Sequence, residues 1–72
     1  MNAAYYEILV RGRPGSAITH WFPDFEVKAV GQDSVQLVGW VPDQAALQGL
    51  INNIDDLGLQ LLSVHERPDA GR

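Results

Sequence analysis

The run "GWVPDQAALQGLINNIDDLGLQ" (residues 39–60) begins like a β-strand, passes through Val-Pro-Asp, continues as an amphipathic segment and meets a glycine at position 58. Leu47, Leu50, Ile51, Ile54 and Leu57 recur at helical spacing and form one apolar stripe. Asp43 stands where a helix N-cap belongs, its carboxylate able to accept from the amides of the first turn. Ala45, Ala46 and Leu47 then propagate the helix well, and Gly58 is placed to end it in the left-handed conformation. A free helix N-terminus can bind phosphate, but here an acidic side chain occupies the amides and would repel an anion. No glycine-rich phosphate loop accompanies it. The junction therefore starts a helix and is not expected to hold a ligand.

Strands flank that helix. "VQLVGWV" (35–41) and "LQLLSVHE" (59–66) are rich in β-branched and long apolar residues. Upstream, "GQDS" reads as a turn, and "FEVKAV" (25–30) alternates with Phe25, Val27 and Ala29 on one side. "YYEILVRG" (5–12) is a further strand ending at glycine. Between them, "RPGSAITHWFP" offers a proline suited to a first helical position, with Ile18, Trp21 and Phe22 on one face of a short helix. The order is β-α-β-β-α-β. Right-handed crossovers put both helices on one side of an antiparallel sheet, which predicts a ferredoxin-like sandwich with strand order 4-1-3-2. One domain over residues 1–66 is expected, with 67–72 as a loose tail. If the first helix were only a loop, the order would be βββαβ.

Composition narrows the function classes. Seventy-two residues make one domain at most, near the size where a single core only just suffices. With no cysteine, neither a disulfide nor a thiolate metal site can supplement it. The net charge of −4, from five Lys/Arg against nine Asp/Glu, opposes general nucleic-acid binding, which needs clustered cations. No apolar run approaches membrane-spanning length, and "MNAAYYEILV" lacks a basic start, so a soluble cytoplasmic protein is expected.

The central stretch also carries resemblances. "VQLVGWVPDQAAL" resembles the V-x-L-x-G-x-V-P-x-Q-A phrase of BON domains at Val35, Leu37, Gly39, Val41, Pro42, Gln44 and Ala45. That likeness implies a periplasmic or membrane-associated setting. "VPDQAALQGLINNIDDLGLQLLSV" is similar to the loop–helix–strand of ACT domains, which implies a ferredoxin-like module that binds amino acids. The fullest likeness is to short bacterial proteins, notably actinobacterial ones, that end DQAAL-x-GL-x-x-I-x-DLGL-x-LLSV. Asp43 to Leu47, Gly49, Leu50, Ile54, Asp56 to Leu59 and Leu61 to Val64 match it. It implies a compact domain and carries over no site.

Strand alternation gives the sheet two apolar sides. Tyr6, Ile8, Val10, Phe25, Val27, Ala29, Val35, Leu37, Val41, Leu62 and Val64 are expected beneath the helices. Tyr5, Leu9, Val38, Trp40 and Leu61 are then expected on the opposite face, where a solvated sheet would carry polar residues. Such a patch usually marks a contact. Burying each such side chain is worth roughly 1.5–3 kcal/mol before association costs. These five residues are the expected interface, with a homodimer or a larger protein as partner, and neither nucleic acid nor membrane.

Candidate chemistry is sparse. His20 and His65 lack metal-ligand spacing, and no cofactor is expected. Ser16 and His20 are four apart, but nothing orients them as a nucleophile and base. Some ferredoxin-like dimers enclose a chamber between their sheets that Tyr5, Trp40 and His65 could line, but no catalytic residue is assigned and an enzyme is not expected. Asp55 and Asp56 sit unopposed at the helix C-terminus, where the dipole favours cations. "RGRPGS" (11–16) puts Arg11, Arg13, Gly15 and Ser16 before a helix start without an acidic cap, a candidate carboxylate or phosphate site. The sequence points first to a non-catalytic accessory module that docks through its sheet face. Second comes an ACT-like regulatory domain for a small ligand.

Overall fold

A computed structural model describes residues 3–12 and 16–67. Strand β1 (Ala4–Arg11) leads to helix α1 (Ser16–Trp21), strands β2 (Glu26–Val30) and β3 (Ser34–Val41), helix α2 (Gln44–Asp56) and strand β4 (Gln60–Arg67). The four strands form one sheet in the order β2-β3-β1-β4, and every neighbouring pair is antiparallel. The last strand runs one residue beyond the expected domain boundary, since Arg67 pairs with Tyr5.

Helix α2 is delimited by the residues that its sequence put at its ends. The Ala46 amide donates to the Asp43 side-chain oxygen over 2.8 Å, which satisfies one of the otherwise unpaired first-turn donors. At the other end the Gly58 amide donates to the Asp55 carbonyl and the Leu59 amide to the Ile54 carbonyl. That double closure is the Schellman arrangement, and it needs the left-handed backbone that Gly58 adopts with φ +75°. Leu50 and Ile54 are buried, with Leu47 and Leu57 packed beside them. Helix α1 has six residues, too few to persist alone. Ile18 and Phe22 anchor it, their positions i and i+4 both buried. Trp21 departs from the expected single face: its indole is 52% exposed.

One core lies between the sheet and the helices. Ile8, Val10, Val35 and Leu37 from the middle strands are wholly buried, and both helices contribute to the same cluster. Gly39 serves that core by having no side chain. A Cβ there would stand 2.6 Å from the Phe25 ring, so the ring lies directly against the β3 backbone.

The β1–β4 ladder changes register. Leu9 faces Ser63 but Val10 faces Leu61, which leaves Leu62 as an extra residue in a β-bulge. An inserted residue reverses the alternation beyond it. Leu61, expected on the uncovered face, is therefore on the side of Val10 and borders a crevice with Ile51, Ile54 and Leu59 of the helical layer.

Candidate interaction surfaces

Four of the five expected interface residues share the uncovered face. Ladder pairing sets Tyr5 beside Trp40, Glu7 beside Val38, and Leu9 beside Gln36. The Tyr5 and Trp40 rings meet edge to face with centroids 5.4 Å apart and planes at 70°. Trp40 remains 51% exposed at the end of β3.

The apolar groups are not continuous. The Gln36 side-chain amide donates to Glu7 over 3.0 Å, and Arg67 approaches the same carboxylate oxygen at 3.7 Å. Glu7, Val38, Gln36 and Leu9 form two adjacent cross-strand pairs. The amide-to-carboxylate bond runs along one diagonal of that square and so divides Val38 from Leu9 on the other. The polar centre is thus partly paired within the chain. His65 lies across from Glu7 on the same face, so Tyr5, Trp40 and His65 do share a side of the sheet. Among the described residues no group of three His, Cys, Asp or Glu side chains is arranged to hold a metal ion.

Charge is unevenly divided between the uncovered face and the rest of the described surface. Arg11, Lys28 and Arg67 share the uncovered face with Glu7 and Glu26. The face is therefore nearly balanced, although the chain carries −4. The acidic surplus among the described residues lies with Asp24, Asp33, Asp43, Asp55 and Asp56 in turns, caps and the end of α2, and with Glu66 in β4 opposite Tyr6.

Both sheet edges are blunted. Strand β2 is only five residues long and alternates Glu26 and Lys28, whereas β4 carries the bulge and ends His65-Glu66-Arg67. Short, charged and bulged edges discourage pairing with a further strand. Of the proposed ligand residues, Arg11 ends β1 on the uncovered face. Arg13, Gly15 and the side chain of Ser16 lie outside the described residues.

A second feature was hidden from the sequence. A cleft of about 370 Å³ opens between the end of α1, the start of β2, the end of β3 and one flank of α2. Trp21, Phe22 and Phe25 give it an aromatic lining, and Trp40 and Val41 border it at the end of β3. Phe22 and Phe25 meet edge to face, 6.4 Å apart at 73°. Helix α2 turns Ala46 and Gly49 toward it, and their small size leaves the space open.

A small α+β domain with a four-stranded antiparallel sheet, one covered and one uncovered face, and an aromatic cleft at one end is the class that these observations define. The chain belongs to the family described as Domain of unknown function (DUF8691), whose model matches residues 5–65. No curated protein and no solved structure matches it. No helix among the described residues is long and apolar enough to cross a membrane.

Proposed function

We propose that this domain is a non-catalytic interaction module of ferredoxin-like topology that binds a second copy of itself through its uncovered sheet face. The strand order, read from the β4 edge, is 4-1-3-2, and both helices bury their apolar residues in one core, which supports that topology. The observation that carries the functional proposal is Trp40. A half-exposed indole, packed edge-on against Tyr5 on a sheet face that no helix covers, is costly in water and typical of an interface anchor.

Size and charge favour a second copy. Strands spaced about 4.8 Å apart and about 26 Å long make a face on the order of 500 Å² before side-chain relief is counted. That is comparable with what one partner gives to the smaller specific interfaces, roughly 600 Å² or less per side. The near balance of Arg11, Lys28 and Arg67 with Glu7 and Glu26 lets two such faces meet without strong net repulsion. Blunted edges leave the face as the available route. A cytoplasmic accessory or regulatory role in a bacterial cell belongs to the same proposal and rests on the sequence alone.

Analytical ultracentrifugation across a concentration series tests it. The wild type should move toward twice the monomer mass as concentration rises. Trp40→Asp should stay monomeric, and Trp21→Asp should behave as the wild type. A monomeric wild type at every concentration, or equal loss in both variants, would reject the sheet face as the interface.

A further inference from the structure

The cleft between the helices stands apart from the sheet-face contact except at Trp40, and its chemistry is unlike that of the rest of the surface. Trp21 is 52% exposed there, although a tryptophan beside a core normally buries more of its area. The charged group in the lining is Asp24, and no lysine or arginine lines the cleft with it. Among the described residues no ion pair engages Asp24. Asn53 adds an amide from α2.

We propose that this cleft binds a small organic cation, an ammonium group carried on an apolar body. Aromatic faces present negative potential and attract cations that shed part of their water. A carboxylate beside them adds attraction of the same sign, whereas an anion would meet repulsion from both. The aromatic lining from Trp21, Phe22 and Phe25 supplies the apolar contact for the rest of the molecule. The cleft's size, about 370 Å³, lies toward the low end for small-molecule sites and suits a ligand of amino-acid size better than a folded partner. Two further details favour ligand capture over a packing defect. Gly49 has no heavy atom within 4 Å of where its Cβ would lie, so a larger residue would fit and fill the space. A glycine within a helix also costs about 1 kcal/mol relative to alanine, a cost with no compensating backbone need at this position.

The two indole N–H signals in a proton–nitrogen correlation spectrum report on the site, since the chain has two tryptophans. Benzyltrimethylammonium, benzyl alcohol and phenylacetate would be titrated at matched ionic strength, three probes sharing a ring but differing in charge. The cation should shift the Trp21 indole signal saturably. The alcohol should bind about fivefold more weakly or less well still, and the anion should give no saturable shift. Asp24→Asn should weaken the cation by at least about threefold. Gly49→Leu, which fills the cleft while improving helix propensity, should abolish the shift with the circular dichroism spectrum preserved. Equal binding of all three probes, unchanged cation binding in Asp24→Asn and Gly49→Leu, or no saturable Trp21 shift at millimolar cation would each overturn the proposal. Because neither substitution touches the uncovered sheet face, sedimentation of both variants should match the wild type.

Discussion

Each strand of this sheet serves two faces with alternate residues, and the two faces are held by different physics. Beneath the helices, Ile8, Val10, Val35 and Leu37 belong to one apolar cluster and are wholly removed from water. On the other side Leu9, Val38, Tyr5 and Trp40 alternate around a polar centre of Glu7, Gln36 and Arg67. The covered face is committed to the fold: its energy is present in every molecule, whatever the concentration. The uncovered face is conditional, and its apolar groups gain their stabilisation only when another surface arrives.

Leucine truncations on the two faces put the largest expected effect against one of the smaller. Leu37→Ala deletes a fully buried side chain next to the middle of the sheet and should cost about 2–5 kcal/mol. A domain of this length loses roughly 4–8 °C of Tm per kcal/mol, so the midpoint should fall by about 10 °C or more. Leu9→Ala should change stability by less than about 0.5 kcal/mol in dilute solution. Its cost should grow with protein concentration if a second copy covers the face. Thermal melts of both variants at two widely separated concentrations would break the contrast if Leu9→Ala were as damaging as Leu37→Ala in the dilute sample.

Gly39→Ala sharpens the same contrast from the backbone. The added methyl would meet the Phe25 ring at 2.6–2.8 Å, and those contacts include the ring carbon attached to Cβ, so the whole aromatic group must move. A cost of about 1–3 kcal/mol is expected, as for other overpacked cores. A melt within experimental error of the wild type would show that Phe25 yields freely toward the cleft.

Several of these features were legible in the sequence because they depend on local spacing. Asp43, Gly58 and the stripe through Leu50 and Ile54 define their helix within a few residues of themselves, and each lies where its spacing placed it. Alternation in β1 and β3 likewise separated Tyr6, Ile8 and Val10 from Tyr5 and Leu9. Leu61 was not legible, because the bulge at Leu62 belongs to the pairing of β4 with β1 and leaves no mark in the alternation of either strand alone. Trp21 shared helical spacing with Ile18 and Phe22, but a six-residue helix has only a narrow buried side, and Ile18 with Phe22 fills it. The cleft draws on α1, the start of β2, the end of β3 and α2, a convergence that no single periodicity encodes. The bond between Gln36 and Glu7 joins residues 29 apart in the chain, equally out of reach of local pattern.

Glu7→Gln makes the smallest change and asks the most exact question of the uncovered face. The substitution keeps the oxygen that accepts from Gln36 and removes the charge that attracts Arg67. The Glu7 and Arg67 side chains are 32% and 46% exposed, and pairs so open to solvent contribute less than about 1 kcal/mol. Monomer stability should therefore fall by no more than a few tenths of a kcal/mol, and the difference should fade at about 1 M salt, where screening acts within about 3 Å. Association should respond in the opposite direction. If a second copy covers this face, the wild type must strip water from a carboxylate that its guanidinium partner meets only at 3.7 Å. The neutral amide carries a smaller desolvation cost, so Glu7→Gln should self-associate more tightly than the wild type. Weaker association in the variant would mean that the Glu7 charge reaches a basic group across the interface, making the polar centre a cross-interface contact and not an obstacle covered by one.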